Sequence, residues 1–169
     1  YLTKAINKQA KKLWHVSNAF LIPEQEKLAR RLKQKTFADF VIFQNSGVEA
    51  TEAAVKAARR YFYSIGKPKK NRILCIKNSF HGRTLAAIFA SGSKKMTEGF
   101  GPKVPGFDHF DFGDHKGLKK SIKKNTAAIM CEAWTRCKIH DFESTCKYIF
   151  NTYDVLSDAH CRDFTLHYQ

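Results

Sequence analysis

Acidic residues are scarce in this sequence: 15 Asp and Glu stand against 30 Lys and Arg, a formal net charge of +15. Such an imbalance favours anionic partners. A basic run interleaved with aromatics is missing, however, and the lysines are scattered along helical patterns. The charge is therefore read as solvated helix faces, and nucleic acid is not expected as the main partner. Long apolar runs are also absent, so no membrane-spanning helix is expected. No signal peptide is visible, and the chain opens directly in a helical pattern, which reads as a cut end. The five cysteines, Cys75, Cys131, Cys137, Cys146 and Cys161, include no C-x-x-C pair and are odd in number. That argues against a disulfide framework and a zinc ribbon. Cys131, Cys137 and His140 fit no standard zinc spacing, so no metal is expected. Reduced thiols suit a cytoplasmic protein. A G-x-x-x-x-G-K-[ST] loop and a G-x-G-x-x-G fingerprint are both lacking, which removes the usual nucleotide and dinucleotide cradles.

What is present reads as one globular domain: 169 residues, 43% hydrophobic and 27% charged. Leu2, Ala5, Ile6, Ala10 and Leu13 recur at helical spacing. Residues 13–20 read as a loop. Pro23, with Glu24 and Glu26 behind it, predicts a second helix start, with Leu28, Ala29 and Leu32 as its buried face. Phe40–Phe43 is the first expected buried strand. Ala50, Ala53, Ala54, Ala57 and Tyr61 predict a helix with a small-residue face, ended by Gly66, Lys67 and Pro68. Ile73–Ile76 is a second expected strand, residues 79–84 a turn, and Leu85–Ala90 a helix closed by Ser91 and Gly92. Residues 93–107 are punctuated by glycine and proline and read as a long loop. A weaker strand at Asp108–Phe112, a lysine-rich helix near His115–Lys124 and a fourth strand at Ala127–Met130 follow. A further helical face is expected over Phe142–Tyr153. Strands alternating with helices predict an α/β fold, a mostly parallel sheet flanked by helices on both faces.

Ligands of such sheets bind at the carboxyl ends of the strands. Two turns are expected there. Asn45-Ser46-Gly47-Val48-Glu49-Ala50 opens a helix, where first-turn amides and the helix dipole favour an anion. Taken alone, Ser46 is only an N-cap. The second turn, Ser79–Thr84, carries Phe80, His81 and Arg83. An apolar ring face and a guanidinium beside a phosphate cradle suit a small aromatic phosphate cofactor and an amino-acid substrate. The plainer readings are a core side chain for Phe80 and a surface residue for Arg83.

The motifs Leu13–Asn18, Pro23 with Gln25, Asn45–Ala50, Asn78–Thr84, Glu98–Pro102 and Pro105–Phe107 resemble class III pyridoxal-phosphate aminotransferases, in order, from residue 1 to about 132. The acetylornithine aminotransferase branch fits best; succinyldiaminopimelate, ornithine and 4-aminobutyrate aminotransferases are the alternatives. The resemblance implies that residues 1–132 belong to the large domain of a fold-type I pyridoxal-phosphate enzyme, and residues 133–169 to a degenerate, truncated continuation of it. It implies a cofactor phosphate on Ser46, Gly47 and Val48, and a pyridine ring against Phe80. The substrate carboxylate would lie on Arg83, with Glu132 lining the pocket. Asp158 is the candidate for the carboxylate on the pyridine nitrogen. It also implies a homodimer, amino-acid and 2-oxo-acid substrates, and a place in arginine biosynthesis. A basic, non-catalytic remnant that binds phosphate or nucleic acid is the alternative from another class.

Two departures qualify that picture. The lysine that forms a Schiff base in this family has no matching motif here, so the chain alone is expected to be inactive. After Glu132 the family continues Pro-x-Gln-Gly-Glu-Gly-Gly, whereas this chain reads Ala133-Trp134-Thr135-Arg136-Cys137. The strand before Asp158 is about two residues short, a displacement of roughly 6–7 Å. A degenerating or mis-read gene would account for the break, as a frameshift, a decayed sequence or a sequence error. Codons for Glu132–Arg136 can read Lys-Pro-Gly-Gln-Gly in another frame, and the coding DNA is expected to show this. A coding sequence in which no frame restores the motif rules the shift out.

Overall fold

The computed structural model describes residues 1–17, 19–36 and 38–131. The chain divides into two compact units, Tyr1–Phe43 and Gln44–Gln169. The first unit holds α1 (Leu2–Ala10) and α2 (Pro23–Lys35). Proline at the start of α2 and Glu24 and Glu26 in its first turn suit the orphan amides there. Both backbone and hydroxyl of Thr36 donate to Leu32 O, at 2.9 Å each, and close its end. Neither helix has a buried residue. The expected buried face of α2 is therefore corrected: Leu28 is 46% exposed, and Ala29 and Leu32 are half-buried.

The expected strand at Phe40–Phe43 is not formed. Phe40 is 90% exposed and Ile42 59%. An apolar run becomes a strand only where a neighbour takes up its amides and carbonyls. The one sheet among the described residues is made from three other segments. Phe40 instead lies under the Lys33 ammonium, 5.8 Å from its ring centre.

The second unit runs α3 (Gly47–Ser64), β1 (Arg72–Ile76), α4 (Leu85–Ala90), α5 (Lys94–Thr97), β2 (Phe107–Phe110), α6 (His115–Ser121) and β3 (Thr126–Met130). The three strands form a parallel sheet in the order β2-β1-β3. Alternation along β1 sends Ile73 and Cys75 into one core with Val55, Ala58 and Phe62 of α3 and Ile88 and Phe89 of α4. Leu74 and Ile76 enter a second core with Phe110 and Leu118 of α6. Both faces of the sheet are thus covered, as the βα alternation predicts. The buried stripe of α3 is Thr51, Val55, Ala58 and Phe62. The alanines expected to supply it lie beside it, half-buried. Residues 93–107 are not wholly loop, since α5 sits within them. Among the described residues, no helix is long and apolar enough to cross a membrane.

Polar ties hold the strands in place. Arg72 grips the Asp108 carboxylate with two bonds, Nε to Oδ2 at 2.5 Å and Nη2 to Oδ1 at 2.7 Å. The bonds from Arg72 hold the Asp108 carboxyl below its usual range. Burial pushes the Cys75 thiol far up, so it stays protonated. His109 Nε2 lies 3.1 Å from both Phe89 O and Ala90 O, the last carbonyls of α4. Gly92 passes so close that a Cβ there would strike the ring.

Burial pushes the His109 pKa below its ordinary 6.5, outweighing the two carbonyls that favour the charged form. With the folded pKa depressed, the unfolded chain binds the proton first. The contribution of His109 is therefore complete above pH 6.5 and lost as pH falls through the lower folded value. His109→Gln keeps a donor for the carbonyls but cannot titrate. Urea unfolding from pH 8 to pH 5 is expected to show a shallower loss of stability in that variant. Equal slopes in the two proteins would show that His109 is not the titrating group.

Candidate functional site

The first turn is a capped helix start. Ser46 is extended (φ −146°, ψ 164°) and its hydroxyl accepts from Glu49 N at 3.4 Å. The same hydroxyl donates to Glu49 Oε2 at 3.0 Å. This resembles a capping box, in which the residue three positions on returns its carboxylate to the cap. Gly47 and Val48 occupy the first helical positions, where amides have no acceptor inside the helix. Ser46 is exposed, and Gly47 and Val48 are half-buried.

The second turn leaves the carboxyl end of β1. Asn78 takes a positive φ of 60°, tolerated by its short polar side chain, and its amide donates to Ser91 O at 2.6 Å. Ser79 Oγ donates to Ile76 O at 2.7 Å, and Ser79 and His81 are buried. Phe80 points outward at 46% exposure, with the Arg83 guanidinium 5.5 Å from its ring centre. Thr84 caps α4 by accepting from Ala87 N at 3.3 Å.

Two contacts join the turns. Gly82, at φ 114°, faces Val48 so closely that an added Cβ would overlap the valine side chain. Thr84 Oγ1 donates to Glu52 Oε1 at 2.5 Å, one helical turn further along α3. The two turns thus share one edge of the sheet, as expected, but by a different route. Only the second turn follows a strand; residues 40–43 are not one. The start of α3 reaches that edge because α3 packs on the sheet and its far end leads into β1.

Ser46, Gly47, Val48, Phe80 and Arg83 are therefore gathered at one place. Glu132 and Asp158 lie outside the described residues. Glu52, Asn78 and Thr84 escaped the sequence reading as site supports. Thr84 carried a signal, since a threonine before an apolar helical run is a cap. Glu52 carried none, because its partner is 32 residues away.

Residues 1–141 match the family profile described as aminotransferase class-III. The chain belongs to that family. This class-III aminotransferase chain is 57% identical over 132 residues to an acetylornithine aminotransferase of Agrobacterium fabrum, covering 78% of the chain and 33% of that protein. It is 45% identical over 131 residues to a succinylornithine transaminase/acetylornithine aminotransferase of Pseudomonas aeruginosa, covering 78% of the chain and 32% of that protein. Its fold matches the ornithine aminotransferase of Toxoplasma gondii with a TM-score of 0.70 at 30% identity, over 76% of this chain and 31% of that one. A transaminase from the marine bacterium Virgibacillus matches with a TM-score of 0.71 at 26% identity, over 77% and 33%. The chain thus spans about a third of the length of the relatives it matches.

The junction between the turns gives a direct mutational test. Gly82→Ala forces a side chain into the space held by Val48 at a φ that disfavours one. Strain and overpacking together are expected to cost about 2–4 kcal/mol, measured as a fall in the urea midpoint. Val48→Ala in the same chain relieves the overlap and recovers part of the loss. A Gly82→Ala protein as stable as the parent would mean that the turns are not in contact.

Proposed function

We propose that this chain is the part of a pyridoxal-phosphate-dependent acetylornithine aminotransferase that holds the cofactor phosphate, one face of its ring and the substrate carboxylate. The observation that supports this most directly is the junction of the two turns. It brings a capped helix start, a half-exposed phenyl ring and a guanidinium to one edge of a parallel sheet.

The donor chemistry there fits the cofactor. The first-turn amides of α3 and the Ser46 hydroxyl suit a phosphate dianion, which the helix dipole also favours. Phe80, 46% exposed, supplies an aromatic ring suited to a pyridine ring. Arg83 is exposed and supplies a fork matched to a carboxylate. Gly82 lets the turn bearing both side chains close onto Val48. Bound pyridoxal phosphate supplies the electron sink for bond breaking at the substrate α-carbon. The protein groups named here bind and orient; none of them is placed to move the proton.

In this reading the amino donor is N-acetylornithine, the acceptor is 2-oxoglutarate, and the reaction serves arginine biosynthesis. The intact enzyme is a cytoplasmic homodimer, and residues 1–132 form part of its cofactor-binding domain. Names of relatives support the substrate: acetylornithine aminotransferases of Agrobacterium fabrum and Brucella melitensis are 57% and 54% identical to the chain over 132 residues. Glu132 lines the substrate side, and Asp158 is the candidate carboxylate for the ring nitrogen. The lysine that reacts with the cofactor is not one of the lysines in this sequence.

Titration with pyridoxal phosphate, followed by absorbance, tests the cradle. Ser46→Ala and Phe80→Ala are each expected to weaken binding about five- to tenfold, near 1 kcal/mol. Borohydride reduction of the complex is expected to label no single lysine stoichiometrically in the intact mass. Binding indifferent to both substitutions overturns the cradle. A stoichiometric adduct at one lysine would put the reacting group in this chain.

A further inference from the structure

From residue 53 through residue 97 the sequence contains no Asp or Glu. The fold gathers part of the resulting basic charge at one corner. The turn from α3 to β1 and the residue two before β3 enclose an open hollow of about 470 Å³, lined by Gly66, Lys67, Pro68, Lys69, Lys70 and Lys124. The lysines here are not scattered, as the sequence suggests; four of them border one space.

The walls of this hollow are tied. Lys67 N donates to Phe62 O at 2.8 Å, Lys70 N to Lys67 O at 2.9 Å, and Asn71 Nδ2 to Pro68 O at 3.2 Å. Arg72 N donates to Asn125 O at 3.0 Å, which fixes the strand beside Lys124. The Lys70 ammonium sits over the Phe62 ring at 4.5 Å. Asp108, on the neighbouring strand, is already held by Arg72. The proposed cofactor cradle is at the other end of α3, about 27 Å away along an 18-residue helix at 1.5 Å per residue.

We propose that this hollow is a second anion site that binds linked phosphates, as a free oligophosphate or as a nucleic-acid backbone. Lysine ammoniums act as point charges and suit a ligand that repeats its charge along its length. The lining has no aromatic side chain on which a base could stack and no arginine fork to read one. Recognition is therefore of phosphate alone and indifferent to base sequence.

The 169-residue chain is titrated with inorganic tripolyphosphate by calorimetry and with a single-stranded 20-mer by fluorescence anisotropy. One variant carries Lys67→Gln, Lys69→Gln and Lys124→Gln. A charge-matched control carries Lys4→Gln, Lys8→Gln and Lys12→Gln, in or just after α1. The first variant is expected to bind at least about tenfold more weakly and to lower the salt slope for the 20-mer by about 2. The control is expected to stay within about twofold of the parent. Loss with tripolyphosphate alone assigns a free oligophosphate, and loss with the 20-mer assigns a backbone. Equal weakening in both variants, or no binding of either probe by the parent, overturns the site.

Discussion

Val48 stands in the space where a side chain on residue 82 would lie. The arrangement of the candidate site depends on that exclusion. It lets the turn leaving β1 close onto the first turn of α3, so the helix cap at Ser46 and the side chains of Phe80 and Arg83 meet at one sheet edge. The hydrogen bond from Thr84 to Glu52 repeats the tie one turn further along. The Asn78 amide on Ser91 O anchors the other side of the same loop to the end of α4. Steric exclusion carries no charge, so this part of the site's geometry is insensitive to salt and to pH. The polar ties around it are not.

The helix that presents the cradle is held by burial. Thr51, Val55, Ala58 and Phe62 of α3 face the sheet, and β1 between its two neighbours is buried on both faces. Its two ends then offer different means of meeting an anion. At the amino end the helix dipole and the first-turn backbone favour an anion. At the carboxyl end the dipole opposes an anion, and the side chains of Lys67, Lys69 and Lys70 must outweigh it. A single phosphate group suits the first arrangement. Several linked charges suit the second.

Much of the second unit was legible in the sequence. The runs that became β1 and β3 are short, apolar and bounded by turn residues, and the capped helix at Leu85–Ala90 carried Thr84 and Gly92 as punctuation. The run at Phe40–Phe43 looked equally strand-like. Its fate rests on whether another segment pairs with it, which local composition does not encode. The stripe of α3 was misread by one position, because Ala50, Ala53, Ala54 and Ala57 form a face as regular as the one that is buried. Of the site, the residue types at the two turns were readable. The Val48–Gly82 contact and the Glu52–Thr84 bond were not, since each joins residues more than thirty positions apart.

The two units differ in what they can sustain alone. In the first, α1 has nine residues and no buried side chain, with Leu2 74% and Ile6 66% exposed. A helix below about 12–15 residues is marginal in water without tertiary packing. In the second, two cores flank a three-stranded sheet. Every described residue assigned to the cradle, and every residue lining the basic hollow, lies in that second unit. Both proposed anion sites, at the two ends of α3, therefore lie in the part of the chain that has its own core. Amino transfer in the proposed reading asks for more: a reacting lysine and a carboxylate against the ring nitrogen, for which no described residue is assigned. The proposed binding and the turnover are thus separate questions for this chain.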